Sequence, residues 1–439
     1  MSEYVNLNRR ALLKSAAAIA ASTTLPKWFV EETQANTPEK PVTQRPRIAL
    51  IGCGSQGRGD AKKASRFGDV VMVCDVDDER IAEAKKLWPD VATRKDFRHV
   101  TESRDVDVVI CGTVDHWHTL ISIAAMRAGK DVYCEKPLTL TIDEGKHLVK
   151  VSQETGRILQ TGSQQRSDAR FRFACELVRN ARIGKLKQID AFLPMGRREG
   201  PFQSKSVPAG FDWDMWLGST PKVDYVPERT HVTFRYWWEY SGGTMTDWGA
   251  HHNDIALWGL GLERSGPVSI SGKPSVEMIP NGFTASSEYE ITYKYANGVV
   301  HNCRSTSANG WNGSVLDPKG QQNGVKFIGT DGWIWVNRKE IVASDPEILV
   351  EPLPTSAERL QISNDHMGNF FDCVRTRKQP ICNAEIGHRS VSVCHLGVIA
   401  MRLGRELTWD PSAEAFANDA EANRWLAREM RSPWSYESV

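Results

Sequence analysis

Neither sign of charge is in excess in this chain: 55 lysines and arginines stand against 54 aspartates and glutamates over 439 residues, a net charge of +1. That balance excludes a broad electrostatic surface for nucleic acid, polyanions or membranes. No apolar run is long enough to span a bilayer. The nine cysteines are odd in number and form no Cys-x-x-Cys pair. Cys53, Cys74, Cys111 and Cys134 sit in or at the ends of apolar, strand-like runs, which points to buried free thiols rather than a disulfide framework. Internal repeats and low-complexity tracts are also missing. What is left is an ordinary globular composition, 40% hydrophobic and 25% charged, long enough for two domains plus appendages.

The N-terminus stands apart from the rest. Asn8-Arg9-Arg10-Ala11-Leu12-Leu13-Lys14 precedes an Ala-rich stretch from Ala16 to Ala21 and resembles a twin-arginine export signal. Thr33-Gln34-Ala35 is a candidate cleavage point. Residues 1–35 are therefore read as a signal peptide and the polar, proline-dotted residues 36–44 as a linker. The mature protein is expected outside the cytoplasm, in the periplasm or another extracytoplasmic space. The twin-arginine route carries folded proteins, which suits an enzyme that must load its cofactor beforehand.

From residue 45 to about 165 apolar runs alternate with helical ones. Arg47–Ile51 ends in Gly52-Cys53-Gly54-Ser55-Gln56-Gly57, and a second run, Val70–Cys74, ends in Asp75. A Gly-x-Gly-x-x-Gly between strand and helix, with an acid about 20 residues on, is the dinucleotide fingerprint. Gly52 permits the turn, Gly54 lets the pyrophosphate approach, Gly57 lets helix and strand close, and the helix N-terminus with Ser55 and Gln56 faces the phosphates. Asp75 is expected to accept from the adenosine ribose. Asp77, Asp78 and Glu79 beside it disfavour a 2′-phosphate, so NAD is predicted over NADP.

Strands at Val106–Cys111, Asp131–Cys134 and Ile158–Gln160, with helices at Thr119–Ala128 and Ile142–Thr155, complete a doubly wound parallel sheet. Ligands of such sheets lie beyond the strand C-termini. Thr113, His116 and His118 lie at one such end and Glu135-Lys136-Pro137 at the next, so both are expected near the nicotinamide. His116 also reads as a surface histidine, and His118 is the better candidate. A metal at His116-Trp117-His118, with His251, His252 and Asp254 as further ligands, is the lesser reading, because the cofactor fingerprint already accounts for this strand end. No metal is expected.

The second domain is placed at residues 166–410, followed by a C-terminal extension, 411–439. It is read as α+β with a mainly antiparallel, open sheet. Strand-like runs cover Leu186–Leu193, Ser287–Tyr295, Val299–Ser305, Gly324–Ile328 and Trp333–Val336, the last two joined by a Gly329–Gly332 turn. Helices at Asn364–Arg375 and Gly387–Leu403 are expected to pack back on the first domain. Asp247 and His251 are four residues apart, which on a helix places them on one face. There the carboxylate can orient the imidazole while His251 takes a hydroxyl proton. Of six tryptophans between Trp213 and Trp258, Trp237 and Trp238 are read as a platform for a sugar ring, Arg166, Arg197 and Arg198 as further donors, and Asp254 as holding a substrate hydroxyl.

Taken together, Gly52-x-Gly54-x-x-Gly57 with Asp75, Glu135-Lys136-Pro137 and Asp247-x-x-x-His251 resemble the glucose–fructose oxidoreductase and inositol dehydrogenase (Gfo/Idh/MocA) family over roughly residues 45–410. The resemblance implies that Lys136 touches both the reacting hydroxyl and the nicotinamide. It also implies that Lys136–Pro137 is cis, that Asp247 and His251 are catalytic, and that the protein is a dimer or tetramer paired through the open sheet face. The expected activity is NAD-dependent oxidation of a secondary hydroxyl of a sugar, glycoside or polyol. Because no free NAD pool exists outside the cytoplasm, the cofactor is expected to be retained. A redox-neutral glycosidase or epimerase using transient oxidation is a variant of the same chemistry. A non-catalytic sugar sensor on a Rossmann scaffold is the rival from another class.

Overall fold

A computed structural model describes residues 25–35, 45–306 and 323–439. The arginine pair and the linker 36–44 lie outside the described residues. The first domain is a six-stranded parallel sheet, with β1 (Arg47–Ile51), β2 (Asp69–Cys74), β3 (Ala92–Arg94), β4 (Val108–Cys111), β5 (Asp131–Cys134) and β6 (Leu159–Thr161) in the order β3-β2-β1-β4-β5-β6. β4 and β5 are buried throughout, as uninterrupted apolar runs must be when helices cover both sheet faces. Helix Ile142–Thr155 starts with a reciprocal Thr141–Glu144 capping box and stops at Gly156 in the left-handed region, which satisfies the free backbone groups at both ends.

Among the described residues the second domain holds nine strands: β7 (Leu186–Pro194), β8 (Ser269–Pro274), β9 (Tyr289–Lys294), β10 (Val300–Thr306), β11 (Gly324–Gly329), β12 (Trp333–Val336), β13 (Ile341–Ala343), β14 (Leu407–Asp410) and β15 (Ala415–Phe416). Their order is β13-β12-β11-β7-β10-β9-β8-β14-β15. Only β7 and β10 pair parallel; the other neighbours are antiparallel, as expected. Helices Ala169–Arg179, Gly249–Leu260 and Ala384–Leu403 pack on this sheet through residues such as Phe173, Ile255 and Leu396.

The two domains are tied together rather than merely linked. Met367 and Phe370 of helix His366–Thr376 sit in the core of the first domain, and Arg377 holds Asp131 through two 2.8 Å hydrogen bonds. The C-terminal extension is also docked. Arg431 reaches Asp214 at 2.8 Å, Trp434 meets Trp117 edge-on with centroids 4.8 Å apart, and Tyr436 stacks on His147 at 3.9 Å.

One expectation changes. Residues 27–35, read as the end of a leader, form a helix docked on the second domain. Phe29 is fully buried against Phe173 at 4.5 Å, Trp28 Nε1 donates to the Val350 carbonyl at 3.0 Å, and Glu32 pairs with Arg359 at 2.8 Å. A cut at Ala35 would remove this aromatic anchor. Phe29→Ala in the chain retaining residues 25–35 should lower unfolding free energy by about 3–5 kcal/mol, read by denaturant titration. A loss below about 1 kcal/mol would show the helix to be dispensable.

Candidate active site

The nucleotide half is built on the turn after β1. Gly52 has φ +90°, and a Cβ on Gly57 would stand 2.1 Å from the Gly52 carbonyl, so the turn and the tight strand–helix contact both need glycine. Beside Gly54, by contrast, there is open space, directly at the N-terminus of helix Ser55–Ala64, where free N–H groups suit a pyrophosphate. Asp75 closes β2. Its oxygens accept from the backbone N–H of Cys53 at 2.6 Å and of Asp77 at 3.0 Å. Burial outweighs these bonds and pushes the carboxyl up to about 6.

From Asp75 a cavity of about 750 Å³ runs past Gly54, Ser55, Gln56 and Thr113 to Lys136, Asp247 and His251. Segments of the second domain roof its nucleotide end: Asp212 N–H donates to the Val76 carbonyl at 2.9 Å, and Asp78 N–H to that of Gly210 at 3.1 Å. Phe211, Met215 and Trp216 line the wall there. The residues present fit NAD: the glycine turn and helix end would take its phosphates, Asp75 the ribose, and the Glu135–Lys136 end its nicotinamide half.

In the reacting half Lys136 Nζ is ion-paired with Asp247 Oδ1, and Arg235 Nε approaches the same oxygen at 3.5 Å. Burial opposes ionisation of Asp247, but these two cations prevail and hold its carboxyl below the usual range. His251 is buried, and its Nδ1 has no hydrogen-bond partner, leaving Nε2 as the nitrogen open to the cavity. Burial first, then Lys136 and Arg338, keep the imidazole well below its ordinary pKa, so it is neutral. Glu135 accepts from Gln164 at 3.1 Å and from Gln56 at 3.4 Å, and burial with the nearby Asp60 carboxylate raises it strongly. Asp115 accepts from Ser241 Oγ at 2.5 Å, and burial raises it to about 7.

Two family descriptions match this chain: "Oxidoreductase family, NAD-binding Rossmann fold" over residues 46–163, and "Oxidoreductase family, C-terminal alpha/beta domain" over residues 191–436, both of the Gfo/Idh/MocA group. The chain belongs to this family.

It is thus an NAD-binding oxidoreductase. It is 26% identical over 348 residues to scyllo-inositol 2-dehydrogenase (NAD(+)) of Bacillus subtilis, covering 76% of this chain and 88% of that one. With myo-inositol 2-dehydrogenase of Thermotoga maritima it is 31% identical over 141 residues, 32% of this chain and under half, 42%, of that protein's length. The fold matches a levoglucosan dehydrogenase solved with NADH and levoglucosan at TM-score 0.60 and 17% identity, over 83% of this chain and 99% of the other.

Within this family member, the glycine turn, Asp75, Thr113, Glu135, Lys136, Asp247 and His251 come together as the sequence suggested, and Lys136–Pro137 is cis. Several other expected residues go elsewhere. Asp247 does not hydrogen-bond His251; its carboxylate is taken by Lys136 and Arg235. His116 lies under the cavity wall, Nε2 2.8 Å from the Trp216 carbonyl. His118 bridges the carbonyls of Pro137 and Thr113 at 2.8 and 3.2 Å, bracing the lysine turn instead of touching a ligand. Arg166 and Asp254 neutralise each other in a fully buried pair with two 2.7 Å bonds. Trp237 is buried with Arg229 over its face at 3.9 Å. Trp238 lies between Arg402 at 4.0 Å and Arg428 at 3.7 Å, so neither ring is free for a sugar. Arg198 is spent on the Glu277 carbonyl at 2.8 Å. In their place Arg235, Tyr236, Trp248, Gln165 and Arg338 line the substrate end. Of these, only Trp248 belongs to the six tryptophans between Trp213 and Trp258 that stand out in the sequence.

Because Asp75 titrates near 6 and only its ionised form accepts two ribose hydroxyls as a charge-assisted pair, NAD affinity should hold above that pH. Below it, affinity should fall by up to about tenfold per pH unit. Titration of cofactor-free protein with NAD checks this. Asp75→Asn should bind weakly and lose the acid limb, and an unchanged limb in that variant would assign the titration to another group.

Proposed function

We propose that this protein oxidises a secondary hydroxyl of a sugar, glycoside or polyol, with NAD held tightly between turnovers and His251 as the base. The observation that carries this is a neutral, buried histidine whose open nitrogen shares the end of a cofactor cavity with an ion-paired lysine. Bound NAD supplies the hydride acceptor. Lys136 Nζ donates to the substrate hydroxyl oxygen and steadies the negative charge that develops there. Asp247 and Arg235 fix where that ammonium points. His251 Nε2 receives the hydroxyl proton, and because its surroundings disfavour imidazolium it passes the proton on readily. The inositol dehydrogenases among the relatives support a polyol or sugar as substrate.

The roof over the nucleotide end and the Trp434–Trp117 contact support a retained cofactor. Retention in turn suits export of the folded protein by a twin-arginine leader, which belongs to the same proposal, as does assembly into a homo-oligomer.

Protein purified without added cofactor should release near-stoichiometric NAD on denaturation, and the right sugar should raise reduced-nicotinamide absorbance. A rise that decays while a glycosidic bond breaks would mark the redox-neutral variant. His251→Ala and Lys136→Ala should each lose roughly 100-fold or more in turnover with NAD still bound. Turnover persisting in both would take His251 and Lys136 out of the chemistry, whereas sugar binding without any turnover in the wild type would favour a sensor.

A further inference from the structure

Three cations line the substrate end of the cavity: Lys136, Arg235 and Arg338. The first two share the Asp247 carboxylate. Arg338 has no carboxylate partner among the described residues. Its Nη2 makes one long hydrogen bond, 3.4 Å, to Gln165 Oε1, and its guanidinium lies 4.7 Å from the centroid of the Trp248 ring. The other acid at this end, Asp168, is held by Arg170 at 2.7 and 3.1 Å. The position of Arg338 is set by the chain. It sits at the turn between β12 and β13, where Asn337 Oδ1 accepts from the backbone of Lys339 at 2.8 Å and of Glu340 at 2.9 Å.

We infer that the substrate is a sugar acid and that Arg338 receives its carboxylate. This rests on the reacting hydroxyl lying at Lys136 and His251. Arg338 is exposed to the cavity and makes no ion pair there among the described residues, so its guanidinium is open to a bound anion. The cofactor's phosphates are not that anion, since their cradle is at Gly52–Gly57. A guanidinium offers the two-pronged donor geometry that a carboxylate accepts. Trp248 connects the two points: its ring contacts Arg338 on one side and stands 5.8 Å from the His251 ring. A carboxylate at Arg338 therefore leaves the far side of the same sugar over His251. It also cancels one of the charges that depress His251, so the base strengthens when the acid is bound.

The test is calorimetric titration of the NAD-bearing protein with glucuronate, galacturonate and gluconate. Each is paired with its methyl ester or neutral sugar, and glucose 6-phosphate is run alongside. At least one acid should bind roughly 10- to 100-fold more tightly than its neutral counterpart. Arg338→Gln should bring that ratio close to one, and Arg338→Lys should keep part of it. No acid preference in the wild type, a preference that survives Arg338→Gln, or tighter binding of the phosphate than of any acid would each overturn the inference. Nicotinamide absorbance is followed on the same samples. Acid preference without any reduction would remove the dehydrogenase reading and leave this one standing, whereas reduction by neutral sugars alone would do the reverse.

Discussion

The carboxylate of Asp247 holds the site together. It comes from the second domain and is gripped by Lys136 from the end of the first domain's sheet, so the reacting centre exists only when the two domains are docked. Leaving either charge buried and unpaired would cost about 3–5 kcal/mol, which makes the docked geometry strongly preferred. The rest of the chain serves that docking: Arg377 on Asp131, Phe370 in the first domain's core, and the C-terminal strap with Trp434 on Trp117. The same lysine also acts on the base, since its charge is one reason His251 stays neutral.

Six acids line one cavity, and the environments of four of them sort them into different roles. Asp247 is ionised because two cations outweigh its burial. Glu135, beside Asp60 and hydrogen-bonded by two glutamine amides, is pushed strongly toward the neutral form. Asp75 and Asp115 are raised to about 6 and about 7, the first beside backbone N–H groups and the second beside Ser241. A dinucleotide brings its own negative charge to this surface, and a floor made of a neutral carboxyl and amides repels it less than four carboxylates would. Separating the pKa values of neighbouring carboxyls in this way is how one pocket binds an anion and still keeps one fixed charge for chemistry.

The legible parts of the sequence were those that local rules govern. Runs such as Arg47–Ile51, Asp131–Cys134 and Trp333–Val336 were read at their observed limits, because an apolar run bounded by turn residues reports a buried strand directly. The glycine turn, Asp75 and Lys136 were legible because their spacing encodes their role. Strands β3, β8, β13, β14 and β15 escaped, being too short or too polar to show a period. Helix Lys27–Ala35 was taken for leader because its sequence is weakly patterned, and only Phe173 and Val350, far along the chain, reveal its seat. Trp237 and Trp238 were misplaced for a related reason. An aromatic face beside polar residues looks the same in sequence whether a sugar or an arginine covers it.

Arg166 and Arg338 show where sequence reasoning stops and structure must take over. Both are arginines near turns, and Arg166, the one singled out from sequence, is satisfied by a two-pronged bond to Asp254, whose Oδ1 also accepts from Ser390 Oγ. Arg338, unremarked in sequence, is the cation left without an acid at the substrate end. The difference between a structural arginine and a binding one is therefore whether tertiary folding delivers a carboxylate to it, which no local pattern records. Likewise the first domain contributes what is general to the family, the glycine turn and the lysine. The connecting segments of the second domain, at His231–Tyr236, Gln165–Asp168 and the β12–β13 turn, contribute much of the remaining cavity wall. Loops positioned by a rigid scaffold carry that task because they can change without unsettling the sheets beneath them. The cavity wall in this protein is thus completed by the parts of the chain with the least periodic sequence, held in place by its most regular ones.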